Sequence, residues 1–392
     1  MERDPPLTLW IIAGESSGDL YGARLAAALQ ALEPSVQLRG MGGEAMAAAG
    51  VDLMVDSSHL AVVGFVEVFR HAPEFFRVFY GLVRQAEQER PDAVILIDYP
   101  GFNVRLAKRL HRLGIRVVYY VSPQVWAWGK RRIPKLARTV DRMLVIFPFE
   151  TSVYEGTGLD VKFVGHPLLE ILQERRQSDN RRDPNTVLLL PGSRSNEVKT
   201  LFPVMIRTAA RLRRRHPDLH FVAAAPSPAV AELLRAQLRT ASATGDGNPD
   251  IEVREGETLD WMQRAAAGLA ASGTVTVEAA ILGLPLTVAY RLNPLTHLVA
   301  RLLVRIPYFT MVNLVAGRKV FEEFLQKEVR AENLAPALEA ILPGGARHDE
   351  VKAGIADALH ALGEESTVGE NTARAVLEAV RRPASNTGKV QS

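Results

Sequence analysis

The chain has 392 residues, 47% of them hydrophobic and 23% charged, enough material for two domains of ordinary size, each with its own core. Its 47 Lys and Arg against 44 Asp and Glu leave a net charge of +3, too small and too scattered for a dedicated nucleic-acid binder. Cysteine is absent, which excludes disulfides, thiolate metal sites and cysteine nucleophiles and points to a reducing compartment. The first apolar run, Leu7–Ala13, follows Glu2, Arg3 and Asp4 and leads straight into Gly14-Glu15-Ser16-Ser17-Gly18-Asp19, unlike a signal peptide. With no run of about 20 apolar residues, the expected location is the cytoplasm or the cytoplasmic face of a membrane.

In chain order, the expected strands of the first half are Leu7–Ile12, Val94–Ile97, Val117–Tyr120, Met143–Ile146 and Lys162–Val164. Between them the spacing predicts helices over Gly22–Leu32, Pro73–Glu89, Val104–Leu113 and Arg131–Val140. Continuous apolar strands are buried on both faces, so the sheet should be parallel, with helices on either side. The fold class expected is therefore α/β, a doubly wound Rossmann-like domain over residues 1–168. Residues 169–185 are polar and turn-prone and read as a hinge. A second domain of the same kind follows over 186–345, with strands Thr186–Leu190, His220–Ala224, Gly268–Ala271 and Leu286–Ala289. Helices are expected over 346–382, crossing back to the first domain, and a disordered tail over 383–392. Two such domains invite a ligand into the cleft between them.

Ligands of parallel sheets bind beyond the carboxyl ends of the strands. Asp98 stands there, directly after Val94-Ile95-Leu96-Ile97. A carboxylate on an apolar rim suits a general base, and the same position suits a side chain that caps the next turn. Leu190-Pro191-Gly192-Ser193-Arg194 runs from a strand into a turn before a helix, which aims backbone N–H groups at an anion. Arg194 adds a planar cation for a diphosphate; the competing reading is a plain turn with a surface arginine. It is not a Walker loop.

Ser272-Gly273-Thr274 repeats the pattern, and Glu278 one turn further can accept both hydroxyls of a ribose. Two phosphate-competent loops and such an acid suggest a nucleoside diphosphate. The first turn lacks the glycine order of dinucleotide folds, so Ser16, Ser17 and Asp19 are read as binding sugar hydroxyls or an acceptor phosphate, with a helix cap the alternative at Asp19. Leu60–Val83, with five phenylalanines, and His297–Phe309, with Arg301 and Arg305, suit either a lipid surface or a core. Trp126 and Trp128 suit a cover over the cleft or simple packing, and Lys130, Arg131, Arg132 and Lys135 suit a solvated helix face. The nine histidines show no metal-ligand spacing.

Taken together, these stretches resemble the lipid-A-disaccharide synthases, glycosyltransferases of the two-domain GT-B type. The resemblance runs through Ala13–Asp19, Gly40–Gly43, Val63–Val68, Ile97–Asn103, Tyr120–Trp128, Phe147–Glu150, Val164–Pro167, Leu190–Arg194, Ala271–Thr274 and Asn313–Arg318, in that order. It implies inverting transfer of 2,3-diacylglucosamine from UDP-2,3-diacylglucosamine to the 6-hydroxyl of lipid X (2,3-diacylglucosamine 1-phosphate), releasing UDP. Inversion needs one displacement and one base, for which Asp98 is the candidate.

Gly192, Ser193, Arg194, Ser272, Gly273 and Thr274 would hold the leaving diphosphate with no metal and no cofactor. Glu278 would hold the ribose, and Asn313 and Arg318 would line the donor side. The implied partners are the two substrates and the inner face of the cytoplasmic membrane, with peripheral association, no nucleic acid, and a homodimer that exchanges its C-terminal segment. Three rivals remain. They are the transferase that adds N-acetylglucosamine to a lipid-linked peptidoglycan precursor, a UDP-sugar 2-epimerase, and a non-enzymatic UDP-sugar sensor.

Overall fold

Ala93–Ile97 and Val187–Leu190 hold nothing but apolar side chains, and all of them are buried, as strands covered on both faces require. The computed structural model describes residues 6–57, 72–175, 182–244, 250–291, 307–363 and 367–382. Outside them lie Leu60–His71 with Val63–Val68, His297–Ile306 with Arg301 and Arg305, part of the hinge and the tail from Pro383. The described residues form two compact units, 1–170 with 363–392, and 171–362.

Unit 1 carries seven strands: β1 Thr8–Ala13, β2 Gln37–Gly42, β3 Asp52–Asp56, β4 Ala93–Ile97, β5 Val117–Tyr120, β6 Arg142–Val145 and β7 Asp160–Phe163. All pair in parallel, in the order β3-β2-β1-β4-β5-β6-β7. Chain order reverses direction at β1 and β4, the topological switch point where α/β folds place their ligands. Unit 2 repeats the plan with β8 Asp183–Leu190, β9 His220–Ala225, β10 Ile251–Glu255, β11 Ala265–Ala271, β12 Leu286–Tyr290 and β13 Glu322–Leu325. Its order is β10-β9-β8-β11-β12-β13, again parallel throughout, with the switch between β8 and β11.

The expected apolar strands are all present within a few residues of their predicted ends. β2, β3, β10 and β13 were not legible as strands. Three of them are sheet edges with half-exposed, polar faces, and β2 is rich in glycine. Helix Leu168–Gln173 occupies the start of the expected hinge.

Of the C-terminal helices, His348–Leu362 belongs to unit 2 and only Val368–Arg381 returns to unit 1. Two arginines hold it there. Arg142, buried at the start of β6, donates to the Ala375 carbonyl at 2.7 Å and pairs with Asp160 and Glu378. Arg116 donates to the carbonyls of Ala379, Val380 and Arg382, satisfying the open end of the helix.

Helix Ala72–Glu89 uses one face for the core, with Phe75 and Phe79 set edge-on against Phe102 at 5.1 and 5.5 Å. Phe76 and Tyr80, each 54% exposed, stack on one another on its other face. Among the described residues no helix is long and apolar enough to cross a membrane.

Candidate active site

In unit 1 the chain leaves β4 through two consecutive left-handed residues, Asp98 (φ 44°) and Tyr99 (φ 45°). Such a conformation costs an L-residue about 1–2 kcal/mol, so the surroundings must hold it. They do. The Asp98 carbonyl accepts from the Tyr119 hydroxyl at 2.7 Å and from the Asn103 amide at 3.0 Å, while the Asp98 N–H donates to the Tyr120 carbonyl. The Tyr99 ring lies over Gly14, where a Cβ would come within 2.3 Å of it, so only glycine fits at the end of β1.

This turn leaves the Asp98 carboxyl half-buried beside the Gly14–Ser17 turn of the neighbouring strand. Burial pushes its pKa up to about 6; the Glu15 carboxylate adds to the rise and the Tyr99 amide offsets part of it. A carboxyl tuned this way is ionised at neutral pH yet still basic enough to take a proton from a hydroxyl. Ser16 and Ser17 are exposed at the first turn of helix Ser16–Leu32, next to it.

Asp19 is a correction. Its carboxylate accepts from the backbone N–H groups of Gly43, Ala45 and Met46 at 2.7–3.1 Å. It therefore caps the helix Glu44–Ala48 rather than its own helix, and it has little capacity left for a sugar. Asp19→Ala should lower unfolding stability by about 1–2 kcal/mol with kcat intact. A thermal melt checks this, and a raised acceptor KM at unchanged stability would restore Asp19 to the substrate.

In unit 2 the turns after β8 and β11 are neighbours at the switch point. Gly192 has φ 108° and faces Glu197, whose carboxylate would meet a Cβ at 2.6 Å. Arg194, 82% exposed, ends the turn and pairs with Glu197 at 3.1 Å. An internal carboxylate thus already sits against the candidate anion-binding arginine. Ser193 is exposed, as are Gly273 and Thr274, and a Cβ at Gly273 would meet nothing within 4 Å. Ser272 donates to the Phe309 carbonyl at a long 3.4 Å. Glu278 is half-buried, and burial raises its carboxyl pKa.

Asn313 is a further correction. Asn313 is wholly buried, with both amide hydrogens given to the Phe321 carbonyl (2.8 Å) and Glu323 (2.9 Å). Its oxygen accepts from the N–H groups of Val320 and Phe321, both at 2.8 Å. Every hydrogen-bonding site on the side chain is used, and none remains for a donor sugar. Arg318 pairs with Asp357 at 2.6 Å, both exposed, a surface pairing like that of Arg194 with Glu197 that an incoming anion can displace. Sequence reading also passed over Glu150 as a candidate, although an acid directly after Phe147-Pro148-Phe149 at a strand end is a local signal of the same kind as Asp98.

A family-wide sequence profile described as Lipid-A-disaccharide synthetase matches residues 9–377. The lipid-A-disaccharide synthase of Geobacter sulfurreducens is 40% identical over 377 residues, covering 94% of this chain and 96% of that protein. Among solved structures, a UDP-GlcNAc 2-epimerase from Neisseria meningitidis, bound to UDP-GlcNAc, superposes with a TM-score of 0.62 at 11% identity, covering 95% of this chain and 100% of that one. MurG of Acinetobacter baumannii superposes with a TM-score of 0.57 at 15% identity, with the same coverage. The last two likenesses are of fold; the first two reach the sequence itself.

Proposed function

The chain belongs to the lipid-A-disaccharide synthase family and is a hexosyltransferase of lipid A biosynthesis, and on that footing we propose that it carries 2,3-diacylglucosamine from UDP to the 6-hydroxyl of lipid X, with Asp98 as the base. The observation that carries the assignment of the base is the strained turn at the end of β4. It holds a half-buried carboxyl, pushed up to about 6, at the switch point of its sheet. Asp98 takes the proton of the acceptor hydroxyl as its oxygen attacks the anomeric carbon. The bond from that carbon to the diphosphate breaks, its electron pair leaves with UDP, and the configuration inverts.

The new charge on the diphosphate is met by Arg194 and by the amides and hydroxyls of Gly192, Ser193, Ser272, Gly273 and Thr274. The incoming diphosphate competes with Glu197 for Arg194, exchanging one anion for another on the same guanidinium. Glu278 holds the ribose hydroxyls, and Ser16 and Ser17 the acceptor. The exposed pair Phe76 and Tyr80 offers an apolar surface to acyl chains, in keeping with peripheral association at the inner face of the cytoplasmic membrane.

The test incubates the purified chain with UDP-2,3-diacylglucosamine and radiolabelled lipid X in detergent with a chelator. The expected product is a labelled tetra-acyl disaccharide phosphate at an unchanged rate when the chelator is omitted. No disaccharide from a folded chain that binds UDP would sink the choice of substrates, and activity that needs an added divalent cation would sink the metal-free route.

A further inference from the structure

β4, β5 and β6 run in register, with Ile97 beside Tyr120 and Tyr120 beside Leu144. The residues that follow these three strands therefore stand side by side along the edge that carries Asp98. Backbone strain continues along this edge. Val121, directly after β5, has φ 66°, a conformation that a β-branched residue almost never adopts. Strain of this kind persists only where neighbours enforce it, and it gathers at functional sites. After Val121 the chain runs through Ser122, whose hydroxyl meets the Tyr154 hydroxyl at 2.7 Å, into the short helix Val125–Trp128.

Glu150 holds this segment from below. It lies five residues after the end of β6 and is 2% exposed. One carboxylate oxygen accepts from the Trp126 indole N–H and the other from the Phe147 backbone N–H, both at 3.2 Å. Trp126 stands edge-on to Phe149 at 5.1 Å, and Phe149 stacks on Phe147. Among the described residues no Lys or Arg pairs with Glu150, so its environment is aromatic rings and N–H donors. Burial pushes its pKa up to about 7 against those donors, and the charge of Asp98 adds a little to the rise. A buried carboxylate without a cation destabilises the fold, and an apolar side chain would pack there at lower cost. What the acid provides, and neither an apolar side chain nor an amide can, is two acceptor oxygens that take the indole N–H and the Phe147 N–H at once.

We propose that Glu150 is a positioning residue: it fixes Trp126, and with it the 121–128 segment bordering Asp98, so that the acceptor hydroxyl meets the base in a single geometry. The inference rests on Asp98 being the base. The test uses the full chain and the disaccharide assay, with Trp126→Phe, Glu150→Gln, the double variant and Asp98→Asn measured together. Each single change at 126 or 150 is expected to lower kcat about tenfold with the donor KM within twofold of wild type, and the double variant to be no slower than either single.

A purely structural role would lower thermal stability and leave kcat per folded molecule unchanged, which would overturn the proposal. So would multiplicative losses in the double variant. Trp126→Phe keeps a ring against Phe149, so it decides the matter alone if Glu150→Gln does not fold. Wild-type activity in Asp98→Asn would remove the base and this inference with it. An inactive Asp98→Asn beside fully active 126 and 150 variants would remove the positioning role only.

Discussion

Asp98→Asn should lower kcat about a hundredfold to ten-thousandfold while leaving UDP binding and thermal stability close to wild type. Asparagine keeps the size of the side chain and can occupy the same left-handed backbone, since Asn tolerates φ near 45° better than most residues. What it lacks is the charge and basicity a carboxylate needs to take the acceptor proton. The proposed base also predicts the pH dependence. It would act only when ionised, and the pKa of Asp98 is raised to about 6, so kcat/KM should climb with pH through about 6 and level off above it.

An unperturbed aspartate would place that limb near 4. Because Glu15 contributes to the rise, Glu15→Gln should move the limb to lower pH. A pH–rate profile of the wild type, the Glu15 variant and the Asp98 variant measures all of this. A limb near 4, or an Asn variant at wild-type rate, would take Asp98 out of the chemistry.

Asn313→Ala should unfold unit 2 far below the melting temperature of the wild type. The side chain makes four hydrogen bonds, and its removal strands the N–H groups of Val320 and Phe321 and the carbonyl of Phe321 in a dry interior. Buried groups left without partners cost about 1–3 kcal/mol each, and networks lose less than the simple sum. A total of about 3–5 kcal/mol corresponds to a fall in Tm on the order of 10 °C for a unit of this size.

Glu323 would be affected as well. It accepts from the N–H groups of Phe309 and Thr310 and from the Thr310 hydroxyl as well as from Asn313, so it ties the turn before helix Met311–Ala316 to β13. Asn313→Asp should be at least as damaging, because it turns two donors into acceptors facing a carbonyl and a carboxylate. Calorimetry of both variants decides. A Tm within a degree or two of wild type, together with a raised donor KM, would return Asn313 to the substrate site.

These contrasts show what the sequence made legible. Strands buried on both faces, such as β4 and β8, are runs of Val, Ile and Leu that announce themselves, and the residue after each run lands on the ligand edge. That is why Asp98 and the turn at Gly192 could be placed from the sequence. β2 could not. Its Gly40 is required because a Cβ there would meet the Ile11 carbonyl oxygen at 1.8 Å, and neither the glycine nor its polar neighbours carry a strand signal.

Asp19 and Asn313 are corrected for another reason. Their partners lie elsewhere in the chain: Asp19 reaches residues 43–46, and Asn313 reaches Phe321 and Glu323. A polar residue in a glycine-rich turn looks free until its partner is found. Glu150 is the reverse case, an acid whose value lies in being enclosed, and enclosure is a property of the folded chain.

The return of helix Val368–Arg381 to unit 1 makes the order of synthesis matter. The first unit to leave the ribosome is the last to be completed, since residues 171–362 must be made before its final helix exists. At roughly 5–20 residues per second that is a wait of about 10–40 s. During it Arg142 lacks the Ala375 carbonyl, and the surface that will receive Val368, Ala373, Val376 and Leu377 is bare. A premature stop anywhere in unit 2 therefore leaves unit 1 without its final helix as well as truncating the unit it interrupts.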